Sequence, residues 1–318
     1  MSNLKSNKTD KFITNIINQL EEVDERKWEN YTIPAGEPQN LFTKKAYSGF
    51  NVLSLALDML IKGYATPYYA SFHSIREAGG RIKKGSKGSM ITFYKFSYRH
   101  KITKKYLSDK KVKELSKEDL KENYDSFPVV KYYYLFNADC IENIDELNID
   151  MPIIDIVDEE FKEIEICENF INDIEIYGEC NIRKEQLSAT AYYSLTYDSI
   201  TIPKKAFFKS SGHYYSTIFH EIIHWTGNEK RLNREMKGFN QDKEKYANEE
   251  LIAELGAMLL SLQHGISNQL INSIRYLKGW LKATKNDNQE EILSLAFQKS
   301  KEAKKYLENL EKEIAKTA

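Results

Sequence analysis

The chain has 318 residues, 41% of them hydrophobic and 29% charged, which is the composition of a soluble globular protein with room for one large core or two ordinary ones. No apolar run approaches the ~20 residues that cross a bilayer, and residues 1–8 lack the apolar stretch of a secretory signal. Cys140, Cys167 and Cys180 form no C-x-x-C pair, so the sequence argues for reduced thiols and a cytoplasmic setting, against a disulfide scaffold or a cysteine zinc site.

In chain order, Phe12, Ile16 and Leu20 recur at a spacing of four and predict a helix over 8–22. Residues 31–47 are turn-rich, with Pro34, Gly36 and Pro38. A helix over about 48–62 carries Leu53, Leu57 and Leu60 and stops at Gly63. Residues 65–70 look extended, and 89–96 and 129–136 read as strands. Between those strands, 97–128 is dominated by Lys, Glu, Asp and Ser and reads as a mobile charged insertion, partly helical at best. Acidic and proline signals over 137–158 mark a domain boundary, giving 1–145 and 150–318. Beyond it the pattern predicts a helix over about 159–173, a strand near 175–179 and a hairpin over 191–202 that turns at Asp198-Ser199. Four helices follow, over about 213–226, 243–264, 268–283 and 287–315. The expected class is α+β: a basic α+β domain, then a mainly helical domain with a small sheet.

Charge is unevenly spread. Residues 1–135 hold 24 Lys and Arg against 15 Asp and Glu, so the remainder is acidic. That split suggests a nucleic-acid-binding half joined to a half with another task. In the basic half Arg81, Lys83, Lys84 and Lys87 stand among Gly79, Gly80, Gly85 and Gly88, where the backbone can come close to a phosphate. The spacing is not that of a P-loop. Aromatic residues interleave with these cations, a pattern suited to single-stranded nucleic acid, whose bases are free to stack.

In the acidic half His220-Glu221-Ile222-Ile223-His224 is an H-E-x-x-H sequence. On a helix the two histidines share a face and grip one ion, here Zn2+, with Glu221 as the general base. Ile218, Phe219, Ile222, Ile223 and Trp225 fill the opposite arc. A catalytic zinc needs a third protein ligand and an open position. Glu250 is the preferred ligand, because it pairs with Glu254 on a mostly apolar helix face where two carboxylates are costly unless bound. Glu254 then hydrogen-bonds a ligand histidine from behind. Glu249 is the alternative ligand. The hairpin over 191–202 offers an edge for an extended peptide.

Taken together these stretches resemble the ArdC-type antirestriction proteins of plasmids, phages and integrative elements. In the first half the resemblance rests on Pro38-Gln39-Asn40, Thr43, the run Tyr47 to Asn51, Gly63-Tyr64, residues 79–88 and Leu135-Phe136-Asn137. In the second it rests on Asp198 to Pro203, Tyr214-Tyr215 leading into His220 to Gly227, Arg231 to Arg234, and Tyr246 to Glu254. Two departures stand out: Asn228 where the family often has histidine, and a longer charged insertion. The resemblance implies a single-stranded-DNA-binding domain followed by a zincin-like metallopeptidase domain, serving to protect incoming DNA from host restriction. Lys44, Lys45, Tyr47 and Asn51 join Arg81, Lys83, Lys84 and Lys87 as candidate DNA contacts. Three readings stay open: a DNA-binding antirestriction protein with a zinc-hydrolase site, a dedicated metallopeptidase that cleaves a regulatory or restriction protein, and a DNA-binding protein with purely structural zinc.

Overall fold

The structure, a computed structural model, describes residues 3–23, 36–151, 162–186, 190–236, 241–266, 270–283 and 289–317. The expected turn at Pro34 and the start of the second half before 162 lie outside the described residues. No helix among the described residues is long and apolar enough to cross a membrane.

The chain is α+β. Helix α1 (Asn3–Glu22) buries Phe12, Ile16 and Leu20, as their spacing predicts. After a short strand β1 (Gln39–Asn40), helix α2 (Phe50–Lys62) ends at Gly63, whose φ of 66° suits the left-handed stop. Strand β2 (Tyr68–Ser71) leads into helix α3 (Phe72–Glu77), which Ser71 caps. Strand β3 (Ser89–His100) pairs antiparallel along its whole length with β4 (Tyr124–Asn137), completing a sheet of order β1-β2-β4-β3.

The expected insertion over 97–128 is therefore corrected. The two strands carry their ladder on to His100 opposite Tyr124, so the ends of the segment are a β-ribbon. The alternating aromatic pattern through Phe96 and Tyr98 sustains the pairing. Only the tip departs from it, in helices α4 (Asp109–Glu114) and α5 (Lys117–Asn123), each capped by a serine.

In the second half helix α6 spans Glu165–Tyr177, later than the expected 159–173, and the strand expected near 175–179 lies further on as β5 (Asn181–Gln186). The reason is the helical spacing of Cys167, Phe170, Ile171 and Ile174, all buried, which holds the helix to Gly178. Strands β6 (Tyr192–Ser194) and β7 (Ser199–Pro203) form the expected hairpin. Its turn spans 195–198 with Asp198 at φ 48°, earlier than the expected Asp198-Ser199, because Ser199 already pairs with Ser194 in the ladder, and the sheet order is β5-β7-β6. Helices α7 (Ser211–Thr226), α8 (Lys243–Gln263), α9 (Leu270–Ala283) and α10 (Gln289–Thr317) follow.

The halves share one interior. A single hydrophobic cluster runs from Phe12, Leu53 and Tyr69 to Trp225, Leu255 and Phe297. Phe50 stacks on Phe297 at 3.9 Å between ring centroids, and Lys304 pairs with Glu37 at 3.1 Å. Asn51 closes the exposed edge of β3. Its amide donates to the Thr92 carbonyl at 2.8 Å and accepts from the Thr92 N–H at 2.9 Å, as a neighbouring strand would.

Two outcomes test this packing. Asn51→Ala is expected to lower the unfolding free energy by about 1–3 kcal/mol, with the urea m-value unchanged. His264 is buried between Phe170 and Phe219 and bonds the Leu260 carbonyl through Nδ1 at 2.8 Å. Burial lowers its pKa, outweighing the carbonyl bond. A depressed imidazole stabilises the fold fully above its unfolded pKa of about 6.5 and loses that contribution as pH falls. Urea titrations between about pH 7 and 5 should thus show a steeper stability loss in the wild type than in His264→Phe.

Candidate metal centre

Helix α7 begins at Ser210, whose hydroxyl accepts from the His213 N–H. Its apolar arc of Ile218, Phe219, Ile222, Ile223 and Trp225 is fully buried. The opposite arc turns His220 and His224 toward helix α8, which starts at its capping residue Asp242. The two helices pack closely because Gly256 of α8 has no side chain: a Cβ there would lie 2.7 Å from Ile223 Cγ1. This approach brings the run Glu249, Glu250 and Glu254 up to the histidines.

The Nε2 atoms of His220 and His224 lie 3.1 Å apart. Glu250 faces both, at 3.4 Å from His220 Nε2 and 3.7 Å from His224 Nε2. Two nitrogens bound to one tetrahedral zinc at the usual length are about 3.4 Å apart, so the spacing suits a small divalent ion. Among the described residues this is the one group of three His, Cys, Asp or Glu with ligand atoms gathered within 4.8 Å.

Each ring is held from behind. His220 Nδ1 is 3.3 Å from Glu254, and His224 Nδ1 is 3.1 Å from Glu249. A carboxylate at Nδ1 keeps the proton there and leaves the Nε2 lone pair for a ligand. Glu249 is thus turned to the back of His224, away from the shared point. Burial disfavours the charged form of Glu250, but the His220 bond and the charges of both histidines outweigh it and bring its carboxyl down to about 2. Burial likewise opposes charge on His220, yet Glu250 and Glu254 lift its pKa well above the ordinary imidazole value. Without an ion, the site already favours a positive charge between its carboxylates. Glu221 is 7% exposed and adds its charge to the same field.

Two partners of this site are not evident in the sequence. Arg234, 5% exposed at its side chain, holds both oxygens of Glu249 at 2.9 and 2.7 Å, the Ile223 carbonyl at 2.7 Å and Thr226 Oγ1 at 2.9 Å. It thereby caps the C-terminus of α7 and fixes Glu249. Gly227 gives it space, since a Cβ there would meet Arg234 Nη2 at 2.7 Å. Tyr246, one turn before Glu250, hydrogen-bonds that carboxylate and rests edge-on against Trp280 at 5.6 Å. The motif Arg231 to Arg234 carries the only trace of the first; the second shares the helix face of Glu250 and Glu254 at a spacing of four, but that spacing does not report its bond to the carboxylate.

A further network pins the hairpin to the end of α7. Arg231 lies over the Trp225 ring at 4.0 Å, donates to the Trp225 carbonyl at 2.7 Å and pairs with Asp198 in the hairpin turn. Asn228, the departure from the family pattern, is buried and donates to the Tyr193 hydroxyl at 2.8 Å.

The candidate DNA contacts divide. Arg81, Lys83, Lys84 and Lys87 are exposed in the loop between α3 and β3. Lys83 reaches the Asp139 carbonyl at 2.7 Å, and Arg81 approaches Glu146 at 3.6 Å. Lys44 lies over the Tyr68 ring at 4.3 Å and bonds the Asp150 carbonyl, while Lys45 is exposed. Tyr47 donates to the Tyr69 carbonyl at 3.1 Å, and Asn51 is engaged at β3, so both side chains are committed to the fold.

Arg234→Ala would leave the Glu249 carboxylate buried without its guanidinium. The expected cost is about 3–5 kcal/mol in chemical denaturation with chelator present. Adding Glu249→Gln to that variant should recover part of the loss, because the uncompensated charge is then gone.

Residues 6–136 match the family model for the N-terminal domain of anti-restriction factor ArdC, and residues 167–298 match that for a zincin-like metallopeptidase. Two solved structures of the antirestriction protein ArdC from plasmid R388 are 28% identical to this chain. The metal-free one aligns with a TM-score of 0.65 over 95% of this chain and 97% of that one. The Mn(II)-bound one aligns at 0.59 over 93% and 97%. A DNA primase TraC of Escherichia coli is 28% identical over 264 residues, 83% of this chain but only 23% of its own length. Protein y4eC of Sinorhizobium fredii is 26% identical over 251 residues, 79% of this chain and 74% of that one. The chain thus spans less than a quarter of the TraC primase it matches. With both domain types in the same order and a fold shared along nearly its whole length, the chain belongs to the ArdC-type antirestriction proteins.

Proposed function

We propose that this ArdC-type protein binds single-stranded DNA through its first half, residues 1–145, and holds a catalytic zinc ion in its second, residues 150–318. It would act in the cytoplasm of a cell receiving a mobile element, shielding the incoming strand from host restriction. The observation that carries the metal assignment is the meeting of His220, His224 and Glu250 at one point with carboxylates behind both rings. Two imidazoles and one carboxylate suit zinc, and three protein ligands leave a position for water. The R388 relative holds Mn(II) in one of its structures, but imidazole donors rank zinc above manganese in affinity.

An ion held by His220, His224 and Glu250 would supply Lewis acidity, lowering the pKa of a bound water and polarising a carbonyl. Glu221 neighbours His220 in sequence, is not needed as a ligand, and is the group to take a proton from water and pass it to the leaving group. Glu254 and Glu249 orient the rings, and Tyr246 steadies Glu250. Strand β6 is an edge of its sheet and joins β7 in the hairpin pinned to α7. It is therefore the place for an extended peptide to pair, such as a segment of a restriction or regulatory protein. A set of three protein ligands, one fewer than a structural zinc usually takes, favours the catalytic over the purely structural reading of the metal.

Metal analysis should find zinc in the wild type and in Glu221→Gln, and little in His220→Ala. Peptide cleavage and protection of transferred DNA are then measured on the same proteins. Glu221→Gln is expected to lose cleavage while keeping its fold and metal. Full cleavage by that variant would remove Glu221 as the base, and wild-type protein without metal after zinc exposure would remove the site itself.

A further inference from the structure

The excess positive charge of the first half is not spread through it. Residues 1–80 are balanced, nine Lys and Arg against nine Asp and Glu, whereas residues 81–135 hold fifteen against six. That second stretch is the glycine-basic loop and the β3–β4 ribbon. Of this stretch, residue pattern alone places candidate DNA contacts only in the loop, and reads the outer part of the ribbon, within 97–128, as an insertion.

The register sorts the ribbon's side chains. Directly opposed residues of an antiparallel pair share a face, and the face alternates along each strand. Phe93 opposes Lys131, Lys95 opposes Val129, Ser97 opposes Phe127, and Arg99 opposes Asp125, all on one face. Every Lys and Arg of the two strands falls on this face: Lys95, Arg99 and Lys131. The other face, from Met90 and Tyr134 to His100 and Tyr124, has no lysine or arginine.

On the cationic face the rings are open to solvent. Phe93 is 54% exposed and Tyr133 is 44% exposed, and they stand edge to face at 6.4 Å. Further out Phe127 lies under the Arg99 guanidinium at 4.9 Å. Solvated aromatic rings cost free energy unless a partner covers them. From Tyr133 to Phe127 is six residues, roughly 20 Å of strand, with cations between and beside the rings. The local acids, Asp109 with Lys95 and Asp125 with Arg99, are partly or largely exposed, so a phosphate can compete for the cations.

We propose that this face of the β3–β4 ribbon is a stacking platform for single-stranded nucleic acid, with Phe93, Tyr133 and Phe127 under bases and Lys95, Arg99 and Lys131 along phosphates. Unpaired bases offer the flat surfaces that such rings cover, and the strand's phosphates compete with Asp109 and Asp125 for the cations. A duplex hides those surfaces, so the platform selects single strands. The assignment rests on the strand-binding reading above and adds to it where the strand lies.

The test uses the full chain and fluorescein-labelled oligo-dT of about 16 nucleotides, with anisotropy followed over a salt series. Phe93→Ala and Tyr133→Ala are each expected to weaken binding by roughly five- to more than a hundredfold while leaving the salt slope unchanged. Phe93→Trp should bind as well as the wild type or better. Lys131→Ala should instead flatten the slope of log K against log salt by about 0.7. All three positions are on the surface, and retained thermal midpoints will confirm folding of the four variants. Ring variants that bind like the wild type overturn the platform, as does a loss of self-association in sedimentation with DNA binding intact, which would make the face a dimer contact. Failure of the wild type itself to bind at low salt overturns the strand-binding reading and the platform together.

Discussion

The absent side chain at Gly256 sets the spacing on which the candidate metal centre depends. Any Cβ there would press into Ile223, the residue before His224. Helix α7 can therefore lie against α8 closely enough for Glu250 to face two imidazoles that are themselves 3.1 Å apart. Both helices are buried along the contact, so the core holds their phase as well as their distance. A ligand set built from rigid helices in this way needs little reordering to receive an ion.

Charge is the second constraint. Glu221, Glu249, Glu250 and Glu254 crowd two histidines in an interior where unpaired carboxylates are expensive. Arg234 neutralises Glu249 from the far side and satisfies carbonyls at the end of α7 with the same guanidinium. Glu254 and Glu250 are left to the histidines and to whatever cation lies between them. The arrangement resists collapse into a neutral core and presents a strong local demand for positive charge. Arg231 does a parallel job one turn of chain earlier, joining Trp225 to the hairpin turn at Asp198.

The two halves are coupled more tightly than two matched domains require. Phe50 stacks on Phe297, and helix α1 packs against helices of both halves within one hydrophobic cluster. The β3–β4 ribbon stands apart from this. Its base is buried through Ile91 and Leu135, while its outer part exposes rings and cations. The shared core and the charged ribbon thus keep the candidate nucleic-acid surface and the candidate metal centre on separate elements.

Period and motif made much of this legible from residue order alone. Local spacing reports the helices α1, α2, α7 and α8, since each buries residues at helical intervals, and H-E-x-x-H reports both histidines because one turn of helix puts them on one face. Glu250 was within reach for the same reason, as a carboxylate paired with Glu254 on an otherwise apolar face. Composition misled where charge was dense: Lys and Glu in 97–128 masked an alternating strand pattern, and polar residues hid the fact that the ladder continues to His100. The strand expected near 175–179 failed because the helical spacing through Ile174 outlasted the predicted end of α6. What only tertiary structure decided are the contacts between elements distant in sequence: Gly256 against Ile223, Arg234 on Glu249, Asn51 at the edge of β3. These depend on which surfaces the shared core presses together, and no interval along the chain encodes that choice.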